Sequence, residues 1–487
     1  MTTLNQNGAL MKEIEIRDFK RKFDREAVHL MRDNKVPGMS ILITKKQEVF
    51  YERAYGSREW QGGKPASLDT LYGIASITKS MTCVGILQLH QEGKLNIYDP
   101  ISKYVPLTIG FEEDPITIHH LMCHASGIPS LSDYVFPIIN EELFVGGIPN
   151  FPMGNWDDFW FHMNDAKKEV LNAPRKKFYY FNGGFTILSQ IISKVAGVSY
   201  EQYMREKIFS PLGMKRSTFS RDELEKDKDA SRAYGEETQK KKLKRIPKPH
   251  LSGPFNSGAG GLNSTVRELT NYLLFHLNNG SFNGNQILKE DLILEMRKPH
   301  NTNLTGRNFL LHRGKSAYGY GWGVVENYHG YTLITHSGSS GVSGGYIGFI
   351  PELEVTYAQL YNIGWLPRHL IDYAFLLLMG KEPDKELPFI ERRDFFEKIV
   401  GKYEAYKKTV KMEIVEKAGL LYLEGELIEK FSFPLIPSSE ASTPHKFHVV
   451  NPYGTMDVEF TFHANGEITF DYERHLMHKV NYKLRNS

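Results

Sequence analysis

Between residues 17 and 33, Phe19, Phe23, Ala27, Leu30 and Met31 recur at helical spacing on one face, and Val36-Pro37-Gly38 ends the pattern. Met39–Thr44 and Glu48–Arg53 read instead as two strands, joined by the polar turn Lys45-Lys46-Gln47. A second helical pattern runs from Ser76 to about Glu92 and stops at Gly93. The middle of the chain is mixed, with helical patterns at 184–196, 199–209 and 265–278. From Tyr331 strands return at 331–335, 346–350 and 355–361, with a turn at Pro351-Glu352, and a helix is predicted at 367–379.

Beyond about residue 398 the alternation has a period of two: Val410, Met412, Ile414; Val458, Phe460, Phe462; Ile468, Phe470, Tyr472. That pattern predicts a small all-β barrel or curved sheet. The polar stretch Lys381–Pro388, with its two prolines, reads as the start of a linker. The expected plan is a first domain over 1–380, a linker over 381–397 and a β module over 398–487.

Composition narrows the function. Of 487 residues, 41% are apolar and 24% charged, a balance that allows a large core. Lys+Arg of 60 against Asp+Glu of 57 gives a net charge of +3, which does not suggest a nucleic-acid partner. Met1–Met11 is polar and lacks the apolar core of a secretory signal, and Tyr373–Met379 is far too short to cross a membrane. Cys83 and Cys123 are too few for a disulfide framework and read as small core residues. The expectation is a soluble cytoplasmic protein without a membrane partner.

Three short boxes carry candidate chemistry. Ser76-Ile77-Thr78-Lys79 is the only S-x-x-K in the chain, and it stands where a helix begins. A serine hydroxyl is a poor nucleophile until a base sits beside it, and a lysine one helical turn away puts an amine on the same face. Tyr180-Phe181-Asn182 is the only Y-x-N, and His336-Ser337-Gly338 closes the strand predicted at 331–335. Taken singly, Ser76 reads rather as a helix N-cap with a solvated lysine, and Tyr180 and Asn182 as a turn before a helix with an aromatic in the core.

Order, spacing and context of these boxes resemble the class C β-lactamase and D-peptidase group of serine hydrolases. Further matching landmarks are Val36-Pro37-Gly38-Met39, Ile116–Pro129, Ile208–Met214, Gly258–Leu262 and Tyr318–Trp322. The resemblance covers about residues 35–362, and the tail is similar to the lipocalin-like module that some members carry. It implies an α/β fold of the β-lactamase/transpeptidase type, with a mainly antiparallel sheet built from N- and C-terminal strands and a helical region between them. It also implies an acyl-enzyme on Ser76, with Lys79 and Tyr180 as the proton-handling pair and the order of their proton transfers left open. Asn182 would bond Lys79 and a substrate amide. His336 would face the cleft from an edge strand, and the backbone N–H groups of Ser76 and Ser339, beside Gly338, would hold the oxyanion. No metal or organic cofactor is implied.

The chain departs from that pattern in places. His336 stands where the β-lactamases have the lysine of K-T-G, which removes a fixed positive charge and turns the expectation away from antibiotic hydrolysis. Phe181 replaces a small residue and is expected to alter the cleft wall. Pro174-Arg175 stands where Pro-Gly is commoner. The segment 131–170 carries Tyr134, Phe136, Phe144, Phe151, Trp156, Phe159, Trp160 and Phe161, which read either as an aromatic wall beside the cleft or as an extra helix on the core. His119, His120, Cys123 and His124 fit no standard zinc spacing. Gly341–Gly345 fits G-x-S-x-G, but a strand pattern follows it, not the helix that a nucleophile elbow needs. The resulting expectation is a peptidase or amidase acting on short peptides, with D-residues by resemblance. The alternatives are a carboxylesterase and a slowly acylating penicillin-binding or scaffold protein, and the β tail is the expected route to any homo-oligomer.

Overall fold

Strands from the two ends of the first unit meet in one sheet, as the hydrophobic pattern requires. The computed structural model describes residues 2–60, 63–131, 155–239, 242–248, 250, 253–304, 314–417, 419–426, 430–438, 445–451 and 454–480. Its contacts divide into two compact units, 1–371 and 372–487.

In the first unit, α1 (Thr2–Asp33) buries Phe19, Phe23, Ala27 and Leu30. Strands β1 (Gly38–Lys45), β2 (Glu48–Glu59) and β3 (Lys64–Pro65) follow. Phe23 packs edge-on against Tyr51 of β2 at 5.0 Å, which seats α1 on the sheet. The helical region holds α2 (Thr78–Gln91), α3 (Ile118–Met122), α4 (Trp156–Asp165), α5 (Asn182–Ala196) and α6 (Val266–Leu277). The chain then returns to strands: β4 (Lys315–Tyr318), β5 (Gly323–Tyr328), β6 (Tyr331–Ser339), β7 (Gly344–Ile350) and β8 (Val355–Tyr361). Sheet order is β4-β5-β6-β7-β8-β1-β2-β3, with β1 antiparallel to β8 from Met39↔Tyr361 to Lys45↔Val355.

Helix α2 is buried from Thr78 through Leu89, which accounts for a sequence apolar on several faces rather than one. Half of the aromatic segment can be placed. Phe159, Trp160 and Met163 of α4 are buried, and Trp156 packs on Phe255 at 4.8 Å, so this part is a helix laid on the core. Phe161 alone is strongly exposed, at 69%. Tyr134, Phe136, Phe144 and Phe151 lie outside the described residues.

Helix α7 (His369–Leu378) crosses the division between the units. The stretch expected as a linker is helical instead: a single turn at Pro383–Glu386 precedes α8 (Pro388–Ile399). Phe395, Phe396 and Ile399 of α8 belong to the core of the second unit, so residues 381–397 are not loose chain. The rest of that unit is a closed barrel of eight strands: β9 (Gly401–Glu404), β10 (Lys411–Lys417), β11 (Leu420–Glu426), β12 (Lys430–Pro437), β13 (Lys446–Asn451), β14 (Gly454–Phe462), β15 (Ile468–Tyr472) and β16 (His475–Lys479). Every neighbour is antiparallel, and β9 closes on β16 through Tyr403↔Lys479 and Glu404↔His478. Closure removes the exposed edges that an open sheet of this size would carry. No described helix is long and apolar enough to cross a membrane.

Candidate active site

Every residue from Thr70 to Leu89 is buried except Ser76. The backbone explains the exception. Ala75 has φ 47°, in the left-handed region that an L side chain enters at a cost of about 1–2 kcal/mol. The chain reverses there and enters a 3-10 turn, Ala75–Ile77, that runs into α2. Ser76 therefore stands at the start of a helical run with its side chain outward. On the opposite side β6 comes very close. A Cβ added at Gly338 would lie 2.0 Å from the Ile74 oxygen and 3.2 Å from the Ser76 nitrogen, so only glycine allows this approach.

Lys79, on the same face of α2, has no exposed surface. Its Nζ lies 3.0 Å from Ser76 Oγ and donates to the Ala259 carbonyl at 2.6 Å. Among the described residues no carboxylate pairs with it. Burial drives its pKa well below the ordinary lysine value, and the nearby Cys83 opposes that only in part. The Tyr180 ring centroid is 5.0 Å from Nζ. Tyr180 is half-buried. Burial raises the pKa of its phenol, while a hydrogen bond with Ser76 lowers it in part, so the phenol stays protonated at neutral pH. Serine, amine and phenol from two separated boxes thus share one site.

The remaining expected residues fall differently. Asn182 is the first residue of α5 and is partly exposed, but the amine's partners are Ser76 and Ala259. The Ala259 carbonyl takes the place foreseen for the Asn182 amide. Strand β6 lies between β5 and β7, but its pairing with β5 ends at Thr335, so among the described residues His336 pairs in register with Ile347 of β7 alone. It is 6% exposed; its Nδ1 bonds the Ser337 carbonyl at 2.7 Å and its Nε2 meets the Tyr318 hydroxyl at 2.8 Å. A carbonyl only accepts, so Nδ1 carries the hydrogen and Nε2 accepts from Tyr318. Burial brings its pKa down to about 3, so His336 is neutral and internally satisfied. Ser339, at the exposed end of β6, pairs with Gly344, and its hydroxyl donates to the Gly364 carbonyl.

Phe181 does not line the cleft. It is 1% exposed and folds back over the first turn of α5, where a Cβ on Gly183 would lie 2.6 Å from its ring. The pair Gly183-Gly184 was the available signal that a large ring could be accommodated inward. Arg175 adopts the left-handed φ of 68° that glycine would adopt more easily. Its guanidinium makes two 2.8 Å bonds to Asp114 and lies 2.6 Å from His120 Nε2. The three histidine rings near Cys123 bond other groups, His120 accepting the Thr117 N–H at 3.1 Å. His119 bonds Tyr320, and His124 accepts the Phe181 N–H. Ser343 of the G-x-S-x-G stretch is buried, donates to the Gly73 carbonyl and precedes a strand.

A family model for beta-lactamase matches residues 23–376, and one described as the Pab87 octamerisation domain matches residues 383–478. Protein flp of Staphylococcus aureus (strain MW2) is 27% identical over 349 residues, 71% of this chain and 64% of that protein. The chain thus spans less than two thirds of that relative. The structure of the octameric penicillin-binding protein homologue from Pyrococcus abyssi is 35% identical, with a TM-score of 0.78 over 94% of this chain and 99% of that one. A class C β-lactamase at 19% identity shares the fold, with a TM-score of 0.58 over 74% of this chain and 96% of that one.

Proposed function

The chain belongs to the beta-lactamase family, and from that premise we propose a serine peptidase or amidase that works through an acyl-enzyme on Ser76. One observation carries the reading: a wholly buried amine, without a carboxylate partner among the described residues, 3.0 Å from the Oγ of Ser76, the one residue of Thr70–Leu89 that is not buried. A neutral lysine has two N–H bonds and one lone pair. The Ala259 carbonyl occupies an N–H, which leaves the lone pair for the Ser76 proton.

Ser76 Oγ attacks the substrate carbonyl carbon as Lys79 takes its proton. The backbone N–H groups of Ser76 and Ser339, on either side of the close approach at Gly338, stabilise the oxyanion. Tyr180 gives its phenolic proton to the leaving nitrogen as the C–N bond breaks, and Lys79 returns a proton to Tyr180. A water molecule then loses a proton to the same pair, attacks the acyl carbon and releases the acid with Ser76 restored. Lys79 is the first base in this order because its amine is held neutral while the phenol is held protonated.

Short peptides are the proposed substrates, with D-residues by family resemblance. A neutral, buried His336 supplies no fixed charge for a β-lactam carboxylate, which disfavours antibiotic hydrolysis. Pre-steady-state assay of peptide amides and matched esters tests the reading. Steady turnover of amides supports it, turnover of esters alone makes the protein a carboxylesterase, and a burst without turnover makes it a slow acylator. We further infer that the barrel forms a homo-oligomer, supported by the octamerisation-domain match over 383–478. A sedimentation mass of one 55.9 kDa chain would contradict that.

A further inference from the structure

We propose that His124 is a positioning residue that sets the Tyr180 phenol against Ser76 and Lys79; this rests on the hydrolase reading above. One residue holds three successive positions of the second box. The His124 carbonyl accepts the Tyr179 N–H at 3.4 Å, its Nδ1 accepts the Phe181 N–H at 3.0 Å, and its ring lies 4.3 Å from the Tyr180 ring, tilted by 37°. The Tyr180 backbone is bracketed on both sides by the same residue, and its ring is held by that residue's own ring.

The clamp is itself fixed. His124 is 1% exposed and has φ 57°, a left-handed conformation uncommon outside glycine. Asn301 donates to its carbonyl at 3.1 Å, and the next carbonyl, of Ala125, accepts the Arg175 N–H at 2.7 Å. Because Nδ1 accepts an amide hydrogen, the imidazole must be the neutral tautomer with its hydrogen on Nε2. Burial also opposes protonation. Nε2 is buried and makes no hydrogen bond among the described residues, so the ring's observed contacts are those to the Tyr180 box.

Displacing a reacting group by about 1 Å can cost about a hundredfold in rate. The test compares His124→Phe, which keeps an aromatic ring but no acceptor, with His124→Gln, which keeps an acceptor. The readout is the rate at which a serine-reactive phosphonate labels Ser76, with the melting temperature recorded for each. The inference expects labelling to fall about a hundredfold in His124→Phe and less than about tenfold in His124→Gln. It is overturned if both variants label like the wild type, or if they fall equally. Failure of the wild type to label would instead strike the hydrolase reading. Nitrogen NMR of histidine-labelled wild type reads the tautomer without any variant, should His124→Phe not fold. A neutral Nε2–H ring between pH 5 and 8 supports the clamp, and a hydrogen on Nδ1 or titration near the free histidine value contradicts it.

Discussion

Both units have apolar cores, but the first also buries a set of ionisable side chains. Beyond Ile371 the buried polar residues among those described are Asp372 and Thr469, and the barrel core is Phe395, Leu423, Phe447, Phe460, Phe470 and their apolar neighbours. The first unit buries Lys79, His120, His124, His276, His336 and Glu268. Burying ionisable groups works against folding unless they are paired or neutral, so the barrel core serves stability and closure. The first unit gives up stability where it buries Lys79 and its ionisable neighbours.

Lys79→Met should sharpen that contrast most. It should lower Ser76 acylation by at least about 10⁴-fold, the scale for losing a member of a catalytic set. It should also stabilise the first unit at pH 7 by on the order of 1–4 kcal/mol, as when buried charge is replaced by apolar volume. The sign follows from the lowered pKa. The unfolded lysine binds a proton that the folded one resists, so burial disfavours folding below the unfolded pKa. The gain should shrink as pH approaches 10.5, and calorimetry of full-length protein checks it. A variant that is less stable at pH 7 would break the contrast.

Phe447→Ala is the converse change, in a fully buried barrel position. It should destabilise the second unit by about 3–5 kcal/mol while Ser76 labelling stays within about twofold. Loss of labelling in folded protein would show that the barrel contributes to the chemistry.

Acid should separate the units next. His336 at about 3 and His119 and His120 at about 4, all lowered first by burial, stay neutral in the folded state. Their contribution is fully present above about pH 6.5 and is lost progressively as pH falls toward 3–4, because the unfolded chain takes up protons first. Two-transition calorimetry at pH 7.5 and pH 5 should show the first unit's melting temperature fall more than the barrel's. An equal or larger fall for the barrel would contradict this.

Arg175→Gly should have the smallest effect. Glycine relieves the left-handed backbone but loses the half-exposed pair with Asp114, so the two changes offset to within about 1 kcal/mol. Labelling should be unchanged, as read by the same phosphonate assay.

Local pattern made much of this legible. The helix after Ser76, the strands at 331–361 and the period-two tail all stand where periodicity put them. Ser76 and Lys79 were legible because one helical turn joins them, and Tyr180 because its box was unique. Contacts between distant segments were not legible. The left-handed Ala75, the Ala259 carbonyl on Lys79 and the closure of Tyr403 onto Lys479 depend on partners far along the chain. That His336 would be buried and bonded to the Tyr318 hydroxyl was not legible either, since a strand pattern does not say which side chain of another strand meets it. His124 was weighed only as a metal ligand, since nothing nearby in sequence reveals its bond to Phe181.

The central claim is that a neutral Lys79 activates Ser76, and the pH dependence of phosphonate labelling, with the modified residue mapped by mass spectrometry, tests it most directly. The account predicts the label on Ser76 and a rate that is already level through neutral pH, falling only on the acid side. A label elsewhere, or a rate on Ser76 that climbs tenfold per pH unit toward the ordinary lysine range, would contradict it.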